Sequence, residues 1–140
     1  MTKHQCRENA FLLLFEASFR DDTPEELYSV AEEIAEIGIN DHVKKLVEGV
    51  LSQTDEIDQI IASYSTKRAV NRIPRINLII LRMAIYELLN IPETPVNVVV
   101  SEAVGLSETY AIAEDTAFIN GVLGAYVRTL PQRSKPQESE

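Results

Sequence analysis

PRINLIILRMAIYELLN, residues 74–90, is the stretch on which the fold turns. Ile76, Leu78, Ile79, Ile80, Leu81, Met83, Ala84, Ile85, Tyr86, Leu88 and Leu89 make it apolar nearly all round, the pattern of a helix covered by protein on every side. Pro74 disfavours helical backbone at Ile73 and lacks only an N–H that a first turn would leave unpaired, so the helix is expected to run from Pro74 to Asn90. Asn77, Arg82 and Glu87 interrupt the run, which is also shorter than the roughly 20 apolar residues a bilayer span needs. The stretch therefore predicts the central helix of a protein core. Arg82 and Glu87 then require partners, because a lone buried charge is costly.

On either side the apolar spacing stays helical. Cys6, Ala10, Leu13, Leu14 and Ala17 form a stripe that Phe11, Leu12 and Phe15 widen, predicting a mostly buried helix over about Lys3 to Phe19. Thr23, Pro24 and Glu26 read as a helix start, Leu27, Val30, Ile34 and Ile37 as the apolar face that follows, and Gly38 as its end. Asn40 caps a third helix, and Val43, Leu46, Val47, Val50, Thr54, Ile57, Ile61 and Tyr64 keep phase, predicting one unbroken helix to about Tyr64. Beyond the central helix, Thr94, Pro95 and Asn97 repeat the start signal ahead of Val96, Val99, Val100, Ala103, Val104 and Leu106. A last helix is expected over about Asp115 to Leu130, with Asp115 as its cap and Phe118, Ile119, Val122, Leu123, Tyr126 and Val127 inside. Strand signals are poor, and no internal repeat is present. The sequence predicts one all-α domain over residues 1–130, with the polar, Pro-containing stretch 131–140 as a disordered tail.

Net charge is −9, which works against phosphate binding unless positive charge is gathered locally. It is gathered. Between Asp21 and Asp58 twelve acids face only Lys44 and Lys45, whereas Lys67, Arg68, Arg72 and Arg75 fall within nine residues that contain no acid. Taken alone, the acids read as solvated helix faces and the basic cluster as a loop without a ligand.

Motifs for chemistry are missing. The chain contains no GxGxxG, Walker or GxSxG motif, and no assembled set of nucleophile, base and orienting group, so an enzyme is not expected. Cys6 is the single cysteine, and with His4 and His42 it makes no metal-ligand spacing, so neither disulfide, metal nor cofactor is expected. No secretory signal is evident, and the protein is expected in the cytoplasm without a membrane span.

Three groups of residues then resemble a known family. Arg7-Glu8-x-Ala10-x-x-x-Leu14-Phe15 and Val47-x-Gly49-Val50 come first, and Ile80-Leu81-Arg82-x-Ala84-x-Tyr86-Glu87-Leu88 lies at the centre. Ile91-Pro92-x-x-Pro95-Val96-x-Val98, Glu102-Ala103-Val104-x-Leu106 and Phe118-Ile119-Asn120-Gly121-Val122-Leu123 complete the order. Over about residues 3–130 the chain resembles the NusB family of transcription antitermination factors.

The resemblance implies a bundle of six to seven helices in two packed helical subdomains. It implies binding of boxA-type RNA together with NusE, the ribosomal protein that doubles as a transcription factor, within an RNA polymerase complex reading through ribosomal RNA operons. The RNA contacts it implies, joined to the basic segment, are Lys3, His4, Arg7, Arg72, Arg75, Asp115, Phe118 and Asn120. Phe118 would stack on an unpaired base and Asn120 would hydrogen-bond to a base edge, although Phe118 shares its helix with Ile119 and Val122 and also reads as core. Neither basic patch is large alone, so the N-terminal helix end is expected to lie near the basic segment and the start of the last helix. Where the family usually begins with an arginine-rich stretch, this chain has only Lys3, His4 and Arg7, and Arg68 stands where a tryptophan is common. Asn77-Leu78 replaces a common acidic-basic pair, and Ser107-Glu108 an alanine-lysine. The competing expectation is an acidic helical scaffold that binds protein partners without specific RNA recognition.

Overall fold

In the computed structural model, which describes residues 1–35 and 37–131, Thr2 opens the first helix. Its hydroxyl accepts from the Gln5 N–H while the Gln5 side chain accepts from the Thr2 N–H, a reciprocal cap ahead of α1 (Lys3–Ala17). Thr23 and Glu26 repeat the device ahead of α2 (Pro24–Val30), which widens into a π-helical turn over Ala31–Ala35. The Asn40 side chain accepts from the Val43 N–H to start α3 (Asp41–Ser52), and α4 (Thr54–Tyr64) follows at once. A 3-10 turn, Val70–Arg72, leads to α5 (Arg75–Asn90), α6 (Val96–Tyr110) and α7 (Ala113–Val127). No strand occurs among the described residues, so the chain is all-α as its sequence predicts. The tail expected over 131–140 lies, but for Pro131, outside the described residues.

α5 sits at the centre, in contact with α1, α3, α4, α6 and α7. Around it α1, α2 and α3 form one group and α4, α6 and α7 another, with α5 packed into both. Ile80, Leu81 and Ile85 are completely buried, which is the consequence of an all-round apolar pattern. α3 comes in close because residue 49 is glycine: a Cβ there would stand 2.2 Å from a ring carbon of Tyr86. The two charges that interrupt the apolar run of α5 are partnered. Arg82 donates to both oxygens of Asp58 at 2.9 and 2.8 Å, and Glu87 accepts two hydrogen bonds from Arg7 at 2.8 and 3.0 Å.

Four boundaries differ clearly from expectation. The single helix expected from Asn40 to Tyr64 breaks at Gln53 (φ −117°, ψ 18°), where the Ser52 and Thr54 hydroxyls turn back onto carbonyls of the preceding turn. Gln53 and Asn90 exchange side-chain hydrogen bonds there, tying the break to the end of α5. Pro74 and Pro95 stand one residue outside their helices in extended backbone (ψ 143° and 144°). Asp115 does not cap the last helix, because α7 begins two residues earlier with Ile112 at the cap position, and the Asp115 carboxylate accepts from Arg68 instead.

Candidate nucleic-acid interface

The N-terminal candidates divide sharply. Lys3 and His4 are exposed, and His4 Nδ1 lies 2.9 Å from a carboxylate oxygen of Glu102. Arg7 is only 5% exposed. Its Nε and Nη2 donate to Glu87, and Nη1 donates to Glu102 at 3.4 Å. Burial by itself lowers the Arg7 pKa, but the hydrogen bonds and charge of Glu87, with help from Glu102, outweigh it and leave the pKa raised. The expectation that Arg7 meets RNA is therefore corrected: its guanidinium is filled by carboxylates in the interior. The sequence contained the reason, since Arg7 precedes Ala10 by three and Leu14 by seven residues and so shares their buried face.

In the basic segment Lys67, Arg72 and Arg75 are exposed. Arg75, the first residue of α5, holds its guanidinium 4.1 Å from the centre of the Phe19 ring. Arg68, outside the expected contact set, reaches the last helix: its guanidinium lies 4.4 Å from the centre of the Phe118 ring, and Nη1 donates to Asp115 at 3.3 Å. Phe118 is half-buried with its ring covered by Arg68, and Asn120 is exposed. The basic segment thus does meet the start of the last helix, through Arg68, a residue read from sequence as part of the basic cluster and as a departure from a tryptophan but not as a contact.

The expected neighbourhood of the N-terminal helix end and the basic segment is not formed. Arg7 lies against Glu87, and Phe19, just past the end of α1, against Arg75, so α1 and α5 run antiparallel and the two contacts on α5 are twelve positions apart. At 1.5 Å per helical residue the two levels are about 18 Å apart. The C-terminal end of α1, not its N-terminal end, meets the basic segment. Lys3 and His4 belong with Glu87 and Glu102, whereas Arg75 belongs with Phe19.

The NusB family model matches residues 4–128. The chain belongs to the NusB family. It is 39% identical over 121 residues to the transcription antitermination protein NusB of Acidothermus cellulolyticus, covering 86% of this chain and 83% of that protein. To the NusB protein of Lysinibacillus sphaericus it is 36% identical, covering 90% of this chain and 97% of the relative. Among solved structures it is similar to antitermination factors NusB and NusE in complex with double-stranded RNA, with a TM-score of 0.80, 28% identity and coverage of 91% of this chain and 97% of that one. It is also similar to NusB of T. maritima, with a TM-score of 0.80, 25% identity and coverage of 100% and 99%. Several of the residues in the motifs quoted above join helices: Gly49 with Tyr86, Arg7 with Glu87 and Glu102, and Phe118 packed against the core.

Proposed function

We propose that this NusB-family protein is an antitermination factor that binds boxA-type RNA together with NusE and acts within an RNA polymerase complex, in the cytoplasm, to support read-through of ribosomal RNA operons. What carries the reading is the similarity, over nine-tenths of the chain, to a NusB solved with NusE and double-stranded RNA. In this proposal Arg72 and Arg75 track phosphates, Asn120 reads a base edge, and Phe118 offers an aromatic face once Arg68 moves aside. Lys3 and His4 form a separate electrostatic contact, and Asp115 lowers affinity by holding Arg68. Residues 1–130 act as one RNA-binding unit.

The test is a gel shift on a single-stranded boxA-type RNA with and without NusE. Binding that weakens steeply with salt and tightens when NusE is added supports the proposal. The acidic scaffold is the second reading, favoured by the withdrawal of Arg7 from the surface and the −9 charge. It predicts capture of NusE with no retention of RNA.

A further inference from the structure

His4, in the first turn of α1, has its side chain 59% exposed, and its Nδ1 lies 2.9 Å from Oε1 of Glu102 on α6. The same oxygen accepts from Nη1 of Arg7 at 3.4 Å, while Nε and Nη2 of Arg7 are taken by Glu87. Arg7, Glu87 and Glu102 therefore leave one negative charge at this end of the bundle, and His4 faces it. A carboxylate only accepts, so the imidazole nitrogen turned toward it carries a hydrogen whatever the charge of the ring. Nε2, on the opposite edge of the ring, has no hydrogen-bond partner among the described residues. On α1 itself Lys3 precedes His4, and Glu8, one turn on, is engaged by the Tyr110 hydroxyl. On α3 His42 feels the charges of Lys3, Arg7, Lys45 and Glu87, but its own Nε2 is buried.

We propose that His4 is a proton-dependent phosphate contact of bound RNA, and that Glu102 is the positioning residue that makes it one. The proposal rests on the RNA-binding reading above and deepens it by naming the proton on which the N-terminal contact depends. With the ring neutral, Nδ1 keeps the hydrogen for Glu102 and Nε2 presents a lone pair, which repels a phosphate oxygen. With the ring protonated, Nε2 becomes an N–H donor aimed away from Glu102. Lys3, His4, Arg7, Glu87 and Glu102 together then pass from neutral to net positive, which favours a phosphate. A cation in the first turn of a helix is opposed by the helix dipole, and the first turn of α1 holds no acid to offset it. Glu102 supplies that counter-charge from α6. RNA binding at this end therefore takes up a proton from solvent, and affinity falls as rising pH removes it. A lysine or arginine at residue 4 would make the contact permanent, whereas histidine makes it conditional.

The experiment measures anisotropy of a fluorescent single-stranded boxA-type RNA, extended on both sides and without terminal phosphates, with the full chain and its variants between about pH 5.5 and about pH 8.5. The wild type is expected to bind about 2- to 5-fold more tightly at the acid end, the value of one exposed ion pair, with a salt slope steeper there by about 0.7. His4→Gln should hold the weaker, alkaline affinity at every pH, and His4→Lys the tighter one. Glu102→Gln still offers Nδ1 an acceptor but no charge, and Glu87 still holds Arg7. It should move the midpoint of the profile to lower pH, a shift that loss of a merely structural contact would not produce. His42 and any free amino terminus remain in His4→Gln, so a pH dependence that survives there overturns the proposal. A wild type that binds RNA with no pH dependence also overturns it and leaves the RNA reading standing. An unmoved midpoint in Glu102→Gln overturns the positioning role, and a wild type that binds no RNA at any pH overturns both readings.

Discussion

A Cβ on residue 49 would lie 2.2 Å from a ring carbon of Tyr86 and 2.3 Å from its hydroxyl, well inside any van der Waals contact. Gly49→Ala must therefore displace the ring or lift α3 from α5, at a cost of about 1–3 kcal/mol in urea unfolding. Gly49→Ala combined with Tyr86→Leu should recover part of that loss, since the two positions share one space. His42 gives a second residue-scale test. Burial first, and the nearby charge of Lys3 next, hold its pKa below 6.5, and its Nε2 is buried without a hydrogen-bond partner among the described residues. Between the lowered native pKa and 6.5 the unfolded chain binds a proton that the native site resists, so native stability falls as pH drops through this window. Above 6.5 this contribution is fully present, and below the native pKa it declines no further. His42→Gln, which does not titrate, should flatten the melting temperature against pH in that window alone, and an unchanged profile would remove His42 as the cause.

At the scale of elements, Arg7 fastens α1 to α5 and α6 through Glu87 and Glu102. Side-chain exposure of 6% for Arg7 and 3% for Glu87 makes this a buried pair, and removing one partner strands the other charge. Arg7→Met should cost about 3–5 kcal/mol, whereas Arg7→Met with Glu87→Leu should regain most of it. Thermal melts of the single and double variants measure the difference, and a stable Arg7→Met would return Arg7 to the list of free cations. How far such contacts can be read from sequence depends on their range. The central helix is legible because its apolar pattern is local, and Glu87 is legible as a charge that needs a cation. The identity of that cation is not, because Arg7 is 80 residues away. The break at Gln53 is hidden for a related reason: α3 and α4 keep one apolar phase, and the turn is fixed by hydroxyl-to-carbonyl bonds and by Asn90, 37 residues on. In the candidate site, Phe118 and Asp115 stand out by motif, but their covering by Arg68 depends on the path of the chain between α4 and α5.

Across the whole molecule, what matters for RNA is which cations are free rather than how many the chain has. Arg7, Arg20, Arg68 and Arg82 are committed to acids, while exposed Lys3, Lys67, Arg72 and Arg75 carry no ion pair among the described residues. Lys67, Arg72 and Arg75 share one segment, and Lys3 stands at the far end of the α1–α5 pair, so under the proposed RNA-binding function a short RNA is expected to engage the three and a longer one to reach the fourth. Each contact on a single strand contributes about −0.7 to the dependence of log affinity on log salt, so the expected slope is about −2 for a short RNA and about −3 for a longer one. Asp115→Asn releases Arg68 from its ion pair and should add one contact, steepening either slope by about 0.7 and raising affinity most at low salt. Affinity measured for RNAs of two lengths between low and physiological salt tests these values together. A wild-type slope steeper than about −5 would require more contacts than the seven exposed cations without an ion pair among the described residues, Lys3, Lys44, Lys45, Lys67, Arg72, Arg75 and Arg128, supply at about 0.7 each, and a slope near zero would mean that no phosphate is held.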